Sequence, residues 1–286
     1  MSTLAAYQPL SAEAVRRALS TSVLGRTLHV LDETPSTNQE AYEVAQQGGP
    51  DGSVVIAERQ TAGRGRLGRP WHSPPGKNLY CSVILRPVMA SGALSCWLGW
   101  VPLLSGLAVG RAIYSLAGVP ASVKWPNDVL IGDRKVAGIL CESGGAATAA
   151  PFVIVGIGIN VNTPMNLFPG ELRGLATSLA IEAGRPFDRV ALLAAVLSEI
   201  EIRCDLYRSG HLTDLRDEYH VRSSTIGQRV RVELGQGQTV EGKAQAVNDD
   251  GSLRLVTAGA GGYDASEAVL DIRAGDVVHL RKDVQR

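Results

Sequence analysis

The chain has 286 residues, enough for one sizeable core plus a small second domain, or for two modest domains. Its 45% hydrophobic and 20% charged content argues against disorder, and Lys+Arg 28 against Asp+Glu 28 gives no net charge, so bulk charge argues against a general nucleic-acid or membrane-surface binder. Cys81, Cys96, Cys141 and Cys204 are scattered without a C-x-x-C pair, which is neither a zinc pattern nor a disulfide framework and predicts reduced thiols in a cytoplasmic protein.

The N-terminus shows no basic start followed by an apolar run, so no secretory signal is expected. Residues 11–20 read as a short amphipathic helix and 27–33 as a strand. A helix then opens at Ser36 or Thr37 as N-cap, with Gln39 or Glu40 in the capping-box position, and stops at Gly48, Gly49 and Pro50. Strands are predicted at 53–58, 79–86, 121–125, 136–142 and 152–160, with IGDRK as a hairpin turn. The uncharged run 87–110 places Leu94, Trp97, Leu98, Val101 and Leu104 at helical spacing. It also holds Pro102, four glycines and three serines, which suits a buried helix better than a membrane span. A further helix is expected over 189–207. Strands and helices mix without regular alternation, which predicts an α+β sheet with helices on one face. Beyond Ile226, short alternating runs separated by GQGQ, NDDG and a glycine-rich loop predict a small all-β barrel or tight sandwich. The expected division is 1–27 as a helical segment, 28–225 as the main domain and 226–286 as the β domain.

No acidic residue occurs from Arg59 to Asn127, while Arg59, Arg64, Arg66, Arg69, Lys77, Arg86, Arg111 and Lys124 do. Such a stretch favours a bound anion. At its start GRGRLG fits a dinucleotide-loop template, but that loop must run straight into a helix, and here Pro70, Pro74 and Pro75 follow. The expected acidic residue about 20 positions on is also missing. The loop is instead predicted to be a flexible basic segment whose glycines allow close approach and whose arginines offer forked donors to phosphate.

Other stretches stand beside it. PSTN opens the first long helix, and Gln60 precedes the loop with an amide that both donates and accepts. KWPND holds Lys124 and Asp128 about an extended Trp125, offering charge for a phosphate and hard oxygens for Mg²⁺. DRKVAGIL carries Lys135 at the head of an apolar strand. In GIGIN, Gly156 and Gly158 leave one strand face bare, against which something can lie. PSTN, ERQTAGRGRLGRPWHSPPGKNLYCS, KWPNDVL, DRKVAGIL and GIGIN, in this order over residues 28–179, resemble the motifs of the biotin protein ligases, and the small C-terminal β domain is similar to that family's SH3-like barrel.

That resemblance implies a class II synthetase-like catalytic domain with a mixed or antiparallel sheet. It implies an enzyme that activates biotin as biotinyl-5′-AMP with ATP and Mg²⁺, then transfers it to one lysine of a biotin carboxyl carrier domain of an acyl-CoA or pyruvate carboxylase. Carried over by motif, Ser36, Thr37, Asn38 and Gln60 bind the biotin head group. Arg64, Gly65 and Arg66 contact its acyl end and the phosphate, and Lys135 contacts the acyl–phosphate junction. Arg69, Lys124, Asn127, Asn160 and Arg281 serve the nucleotide, Trp71 covers either the adenine or the biotin side, and Asn127 or Asp128 meets the metal. Lys135, Arg64 and Arg66 are the expected catalytic residues. Biotin's carboxylate is ionised at neutral pH, since carboxyl pKa values lie near ~4, so none of His29, His72, His211, His220 and His279 is required as a base. Only about thirty residues precede the first core strand, too few for the operator-binding domain of some members, so no DNA partner and no membrane partner is expected. Lipoate or octanoate transfer, a non-catalytic adenylate sensor and an RNA-binding module are the rival readings.

Overall fold

The computed structural model describes residues 9–87, 93–145, 151–235, 237–257 and 268–280. In chain order the first unit contains α1 (Ala12–Ala18), β1 (Leu28–Thr34), α2 (Thr37–Gln46), β2 (Val54–Gln60), β3 (Leu79–Leu85), α3 (Ala93–Ala117), β4 (Ser122–Lys124), β5 (Asp128–Ile131), β6 (Arg134–Gly144) and β7 (Phe152–Ile159). Then follow α4 (Leu179–Ala183), α5 (Arg189–Arg208) and α6 (Leu212–Arg222). Seven strands form one sheet in the order β1-β2-β3-β7-β6-β5-β4, in which β1–β2 is parallel and the other pairings are antiparallel.

Strand alternation sends Cys81, Val83 and Leu85 of β3 and Val153, Val155 and Ile157 of β7 to the face covered by α3 and α5. The intervening residues Ile84, Phe152 and Ile154 join Val55 on the opposite face, where Ala41 and Ala45 of α2 pack. The expectation of helices on one face therefore holds for α1, α3 and α5, and α2 departs from it. Helix α2 is short and covers only part of its face, and that incomplete cover leaves room for a cavity.

Helix α3 is apolar enough to span a membrane by length, yet 72% of its apolar window is buried inside the protein. Its reason is packing on two sides. Trp97, Val101 and Leu104 join the sheet core, whereas Trp100, Leu103 and Leu107 join a second core with the β domain. That domain comprises β8 (Arg229–Gly235), β9 (Gln238–Val247), β10 (Leu253–Thr257), β11 (Ala268–Ile272) and β12 (Asp276–His279), paired antiparallel in the order β11-β10-β9-β8-β12. This is the small all-β unit expected from the alternating runs, and it is consistent with the SH3-like barrel that the resemblance implies.

The two units dock closely. The indoles of Trp100 and Trp125 donate to the Asp249 and Gly251 carbonyls, each at 3.1 Å. A Cβ on Gly99 would stand 2.0 Å from the Asp250 carbonyl oxygen, so only glycine permits this approach.

Candidate active site

The sheet face left open beside α2 forms the floor of a cavity of about 1130 Å³. The floor is made by glycines of β6 and β7. A Cβ on Gly156 would lie 2.0 Å from Asn38 Oδ1, one on Gly158 2.5 Å from Trp71 Cε2, and one on Gly138 3.0 Å from Trp71 Cζ3. The bare face predicted from GIGIN is thus occupied by Asn38 and the Trp71 ring, which come from 118 and 87 positions earlier in the chain (156 − 38 and 158 − 71). Trp71 rests against the floor strands, and Lys135 Nζ stands 5.3 Å from its ring centroid.

At one end lies a polar cluster. Thr37 donates its N–H and its hydroxyl to Gln60 Oε1, at 2.9 and 3.1 Å. Asn38 Nδ2 donates to Glu142 Oε2 at 2.6 Å and to the Leu140 carbonyl at 3.2 Å. Ser82 Oγ sits 2.8 Å from Thr37 Oγ1 and 2.7 Å from Asn38 Oδ1. The capping box expected at this helix start is absent. Ser36 occupies the N-cap backbone position but makes no side-chain cap bond, Gln60 satisfies the first helical N–H from another strand, and Glu40 accepts from Thr34 Oγ1. Ser36 is buried against the cavity wall with its hydroxyl uncommitted to the helix.

At the other end stands the basic loop. No helix follows it, as the prolines predict. Instead the segment folds into a tight finger: Gly65 N–H donates to the Arg69 carbonyl at 2.7 Å, Trp71 N–H to the Gly63 carbonyl at 2.8 Å, and Leu67 at the tip takes φ 56°. Arg66 Nη1 reaches the Gly275 carbonyl at 3.1 Å, Asp276 Oδ1 at 3.2 Å and Asn127 Oδ1 at 3.4 Å. Arg69 Nη2 lies 2.6 Å from Asp276 Oδ2. Arg64 is exposed at the cavity and makes no ion pair among the described residues.

Lys135 Nζ pairs with Asp128 Oδ1 at 2.5 Å, across the β5–β6 hairpin. Its backbone is held by the 172–177 segment, through Lys135 N–H to the Leu175 carbonyl and Thr177 N–H to the Lys135 carbonyl. Asn127 is less suited to a metal than expected, because its Nδ2 holds the Ile139 carbonyl at 2.8 Å and its Oδ1 faces Arg66. Among the described residues no cluster of three acidic, cysteine or histidine groups could cage a metal. Asp128, the other residue expected to meet a metal, keeps a carboxylate of the hard-oxygen kind that suits Mg²⁺, and it faces Lys135. Lys124 and Asn160 also line the cavity, and Arg281 lies outside the described residues.

The expected residues Ser36, Thr37, Asn38, Gln60, Arg64, Gly65, Arg66, Arg69, Trp71, Lys124, Asn127, Asp128, Lys135 and Asn160 all line this one cavity. Sequence reading missed four contributors. Ser82 is an isolated hydroxyl in an apolar strand, on the face shared with Tyr80 and Ile84, and that alternation was the available signal. Asp276 lies in the other unit and carried no signal. Phe168 and Leu172 reach the cavity from a segment without clear periodicity. The cysteines take no part: all four are free, and burial pushes the Cys81 and Cys204 thiols up to about 12.

The profile of the Biotin/lipoate A/B protein ligase family matches residues 30–160, and that of the Biotin protein ligase C terminal domain matches residues 225–280. The biotin–[acetyl-CoA-carboxylase] ligase of Mycobacterium tuberculosis is 40% identical over 278 residues, covering 96% of this chain and 97% of the relative. The chain belongs to the biotin protein ligase family. A second relative in the family, the bifunctional ligase/repressor BirA of Bacillus subtilis, is 38% identical over 248 residues, 87% of this chain and 75% of that protein. Among solved biotin protein ligases, that of Aquifex aeolicus in complex with biotin and ATP matches with a TM-score of 0.72 at 30% identity, covering 90% of this chain and 100% of the other. The apo form of the same enzyme matches with a TM-score of 0.69 at 27% identity.

Proposed function

We infer that this chain is an ATP-dependent biotin protein ligase, which forms biotinyl-5′-AMP and passes the biotinyl group to a lysine of a carboxylase carrier domain. The observation that carries this reading is the convergence of an amide-and-hydroxyl cluster and a cluster of cations at opposite ends of one glycine-floored cavity. Ser36, Thr37, Asn38 and Gln60 supply fixed donors and acceptors for a ureido ring, a head group that apolar analogues cannot mimic. Arg64, Arg66 and Lys135 face the carboxylate and the α-phosphate.

In the first step a carboxylate oxygen of biotin forms a bond to the α-phosphorus, and the bond from that phosphorus to the bridging oxygen breaks, releasing pyrophosphate. The nucleophile is already an anion, so the residues supply charge neutralisation and alignment rather than a base. Arg64, whose guanidinium is unpaired among the described residues, is the readily recruited donor. Arg66 and Arg69 must exchange Asp276 for phosphate, and Lys124 and Asn160 hold the nucleotide. Asp128 is the carboxylate that would hold a Mg²⁺ ion, which would supply charge neutralisation at the phosphates. In the second step the acceptor amine attacks the acyl carbon, AMP leaves, and the amine proton is lost; its ordinary pKa near ~10.4 means that a local acceptor helps. Asp128, once Lys135 turns to the adenylate, fills that role. The acceptor is a biotin carboxyl carrier domain of an acyl-CoA or pyruvate carboxylase, the setting is cytoplasmic, and no DNA or membrane partner enters the reading.

An endpoint mass assay tests it. Purified protein is mixed with MgATP, biotin and a recombinant carrier domain, with a lipoate control. One biotinyl adduct with biotin alone supports the ligase, and Lys135→Ala should slow adenylate formation by about 100-fold or more. An unmodified carrier without any adenylate in the tube would overturn the assignment.

A further inference from the structure

Behind the nucleotide end of the cavity two buried amides stand in series, and their orientation is fixed by groups that admit only one answer. Asn78 is fully buried. One end of its amide faces the Val161 backbone N–H at 3.0 Å and the Thr163 hydroxyl at 2.7 Å. A backbone N–H can only donate, so the atom opposite it must be the carbonyl oxygen, and Nδ2 must point the other way. There it meets Asn160 Oδ1 at 3.3 Å. That contact in turn commits the Asn160 oxygen, so the free end of the Asn160 amide is its Nδ2. Asn160 lines the cavity, and its Nδ2 makes no hydrogen bond among the described residues.

The relay is held from behind. Arg189 Nη1 donates to the backbone carbonyl of Asn78 at 3.3 Å and to Glu58 Oε2 at 2.6 Å, and both charged side chains are buried. Ser178 Oγ donates to the Thr163 carbonyl at 2.7 Å. The Asn160 N–H and carbonyl are bonded to Val136 and Leu179, so the residue cannot rotate away by moving its backbone.

We propose that Asn78 is a positioning residue that sets the hydrogen-bonding polarity of Asn160, making it a donor toward the nucleotide. The inference rests on the ligase reading for the identity of the ligand. It commits the atom opposite Asn160 to be an acceptor: a purine ring nitrogen or an oxygen of the sugar or phosphates, never the exocyclic amine. Asn78→Asp is nearly isosteric and reverses the polarity. An aspartate still accepts from Val161, but its second oxygen draws the Asn160 amide round to donate to it, leaving Oδ1 facing the ligand.

The test is a double-mutant cycle on the full chain, using calorimetry with a non-hydrolysable α,β-methylene ATP and, separately, with biotin. Asn78→Asp and Asn160→Asp should each weaken the nucleotide about tenfold, the scale of one hydrogen bond exchanged for an oxygen–oxygen contact. Combined with Asn160→Ala, which removes the donor without placing a second carboxylate against the first, Asn78→Asp should cause no further loss, and biotin affinity should stay at the wild-type value. Should Asn78→Asp fail to fold, Thr163→Val removes one of the two donors that fix the relay and should weaken the nucleotide about threefold, again with no added loss on Asn160→Asp. Deaza and deoxy analogues of ATP assign the acceptor, because the analogue lacking it binds wild type and Asn160→Asp alike. Additive losses, or wild-type nucleotide affinity in Asn78→Asp, would overturn the proposal. A wild-type protein that binds the nucleotide and biotin but forms no adenylate would instead overturn the ligase reading and leave the relay standing.

Discussion

At the level of single residues, the floor glycines are the most constrained positions. Gly156→Ala places a methyl group where Asn38 Oδ1 now lies, and Asn38 is tied on its other side to Glu142 and the Leu140 carbonyl. The side chain must leave its pocket and lose those partners, so biotin affinity should fall by about 10–100-fold, the cost of one or two stranded polar contacts. Calorimetry reads this directly, and an unchanged Kd would mean the floor does not seat the head group. The glycine alternation was legible in GIGIN because period two is a local property. The identity of the covering groups was not, because Asn38 and Trp71 reach the floor through tertiary folding alone. The same contrast holds for the cations: Arg64, Arg66, Arg69 and Lys135 announce themselves by position in motifs, while Asp276 is visible only once two units dock.

At the level of elements, the basic finger is fixed at its tip by β12. Asp276→Asn removes the charge shared by Arg66 and Arg69 while keeping the hydrogen-bonding shape. Trypsin should then cut the ligand-free finger several-fold faster, since local opening governs cleavage, and ATP with biotin should restore protection. Equal cleavage rates would show that the backbone hydrogen bonds of the finger suffice. Helix α6 offers a pH prediction. His220 Nε2 accepts the Val247 N–H at 3.1 Å, joining α6 to β9. Burial first, and then the neighbouring Arg216, hold its pKa below the ordinary value, with Asp217 opposing. The folded state therefore binds this proton less readily than the unfolded chain. Its stabilisation is complete above about pH 6.5 and is lost as the pH falls through the acidic side of that value. His279 is shifted in the same direction, by burial and by Lys124, so the test is a comparison. His220→Gln retains an acceptor for Val247 and should flatten the fall in Tm between pH 7.5 and 5.5; a slope equal to wild type would assign the effect elsewhere. Helix α6 itself escaped the sequence reading because its buried apolar contacts reduce to Leu215 and Tyr219, and β11 because four of its five residues are exposed.

At the level of the whole molecule, α3 contributes to two cores at once, so the catalytic sheet and the β domain should unfold together. Gly99→Ala sets a methyl against the Asp250 carbonyl, and no flexible side chain is there to yield. The expected result is a Tm lowered by several degrees, on the scale of about 2–4 °C per kcal/mol for a chain of this size, with the β domain loosened first in hydrogen exchange. An unchanged Tm would show that the docking can shift as a body. Much of this architecture was readable in the sequence: the helix 189–207 and the late switch to short alternating runs follow from periodicity, and the mixed or antiparallel sheet follows from the family resemblance. The placement of α2 on the face opposite α3 was not, because an amphipathic helix declares that it has a buried side without declaring which side of the sheet it meets.

The four tryptophans fall into separate roles. Trp100 and Trp125 give their indole N–H to carbonyls of the β domain, Trp97 packs on Tyr207, and Trp71 lies on the cavity floor. The molecule thus carries its own optical instrument. Detachment of the β domain would red-shift the emission of Trp100, whereas ligand entry would alter Trp71 and Trp125, which both line the cavity. With Trp71→Phe and Trp125→Phe variants as the blanks, fluorescence titrations separate what happens inside the cavity from what happens at the junction between the two halves.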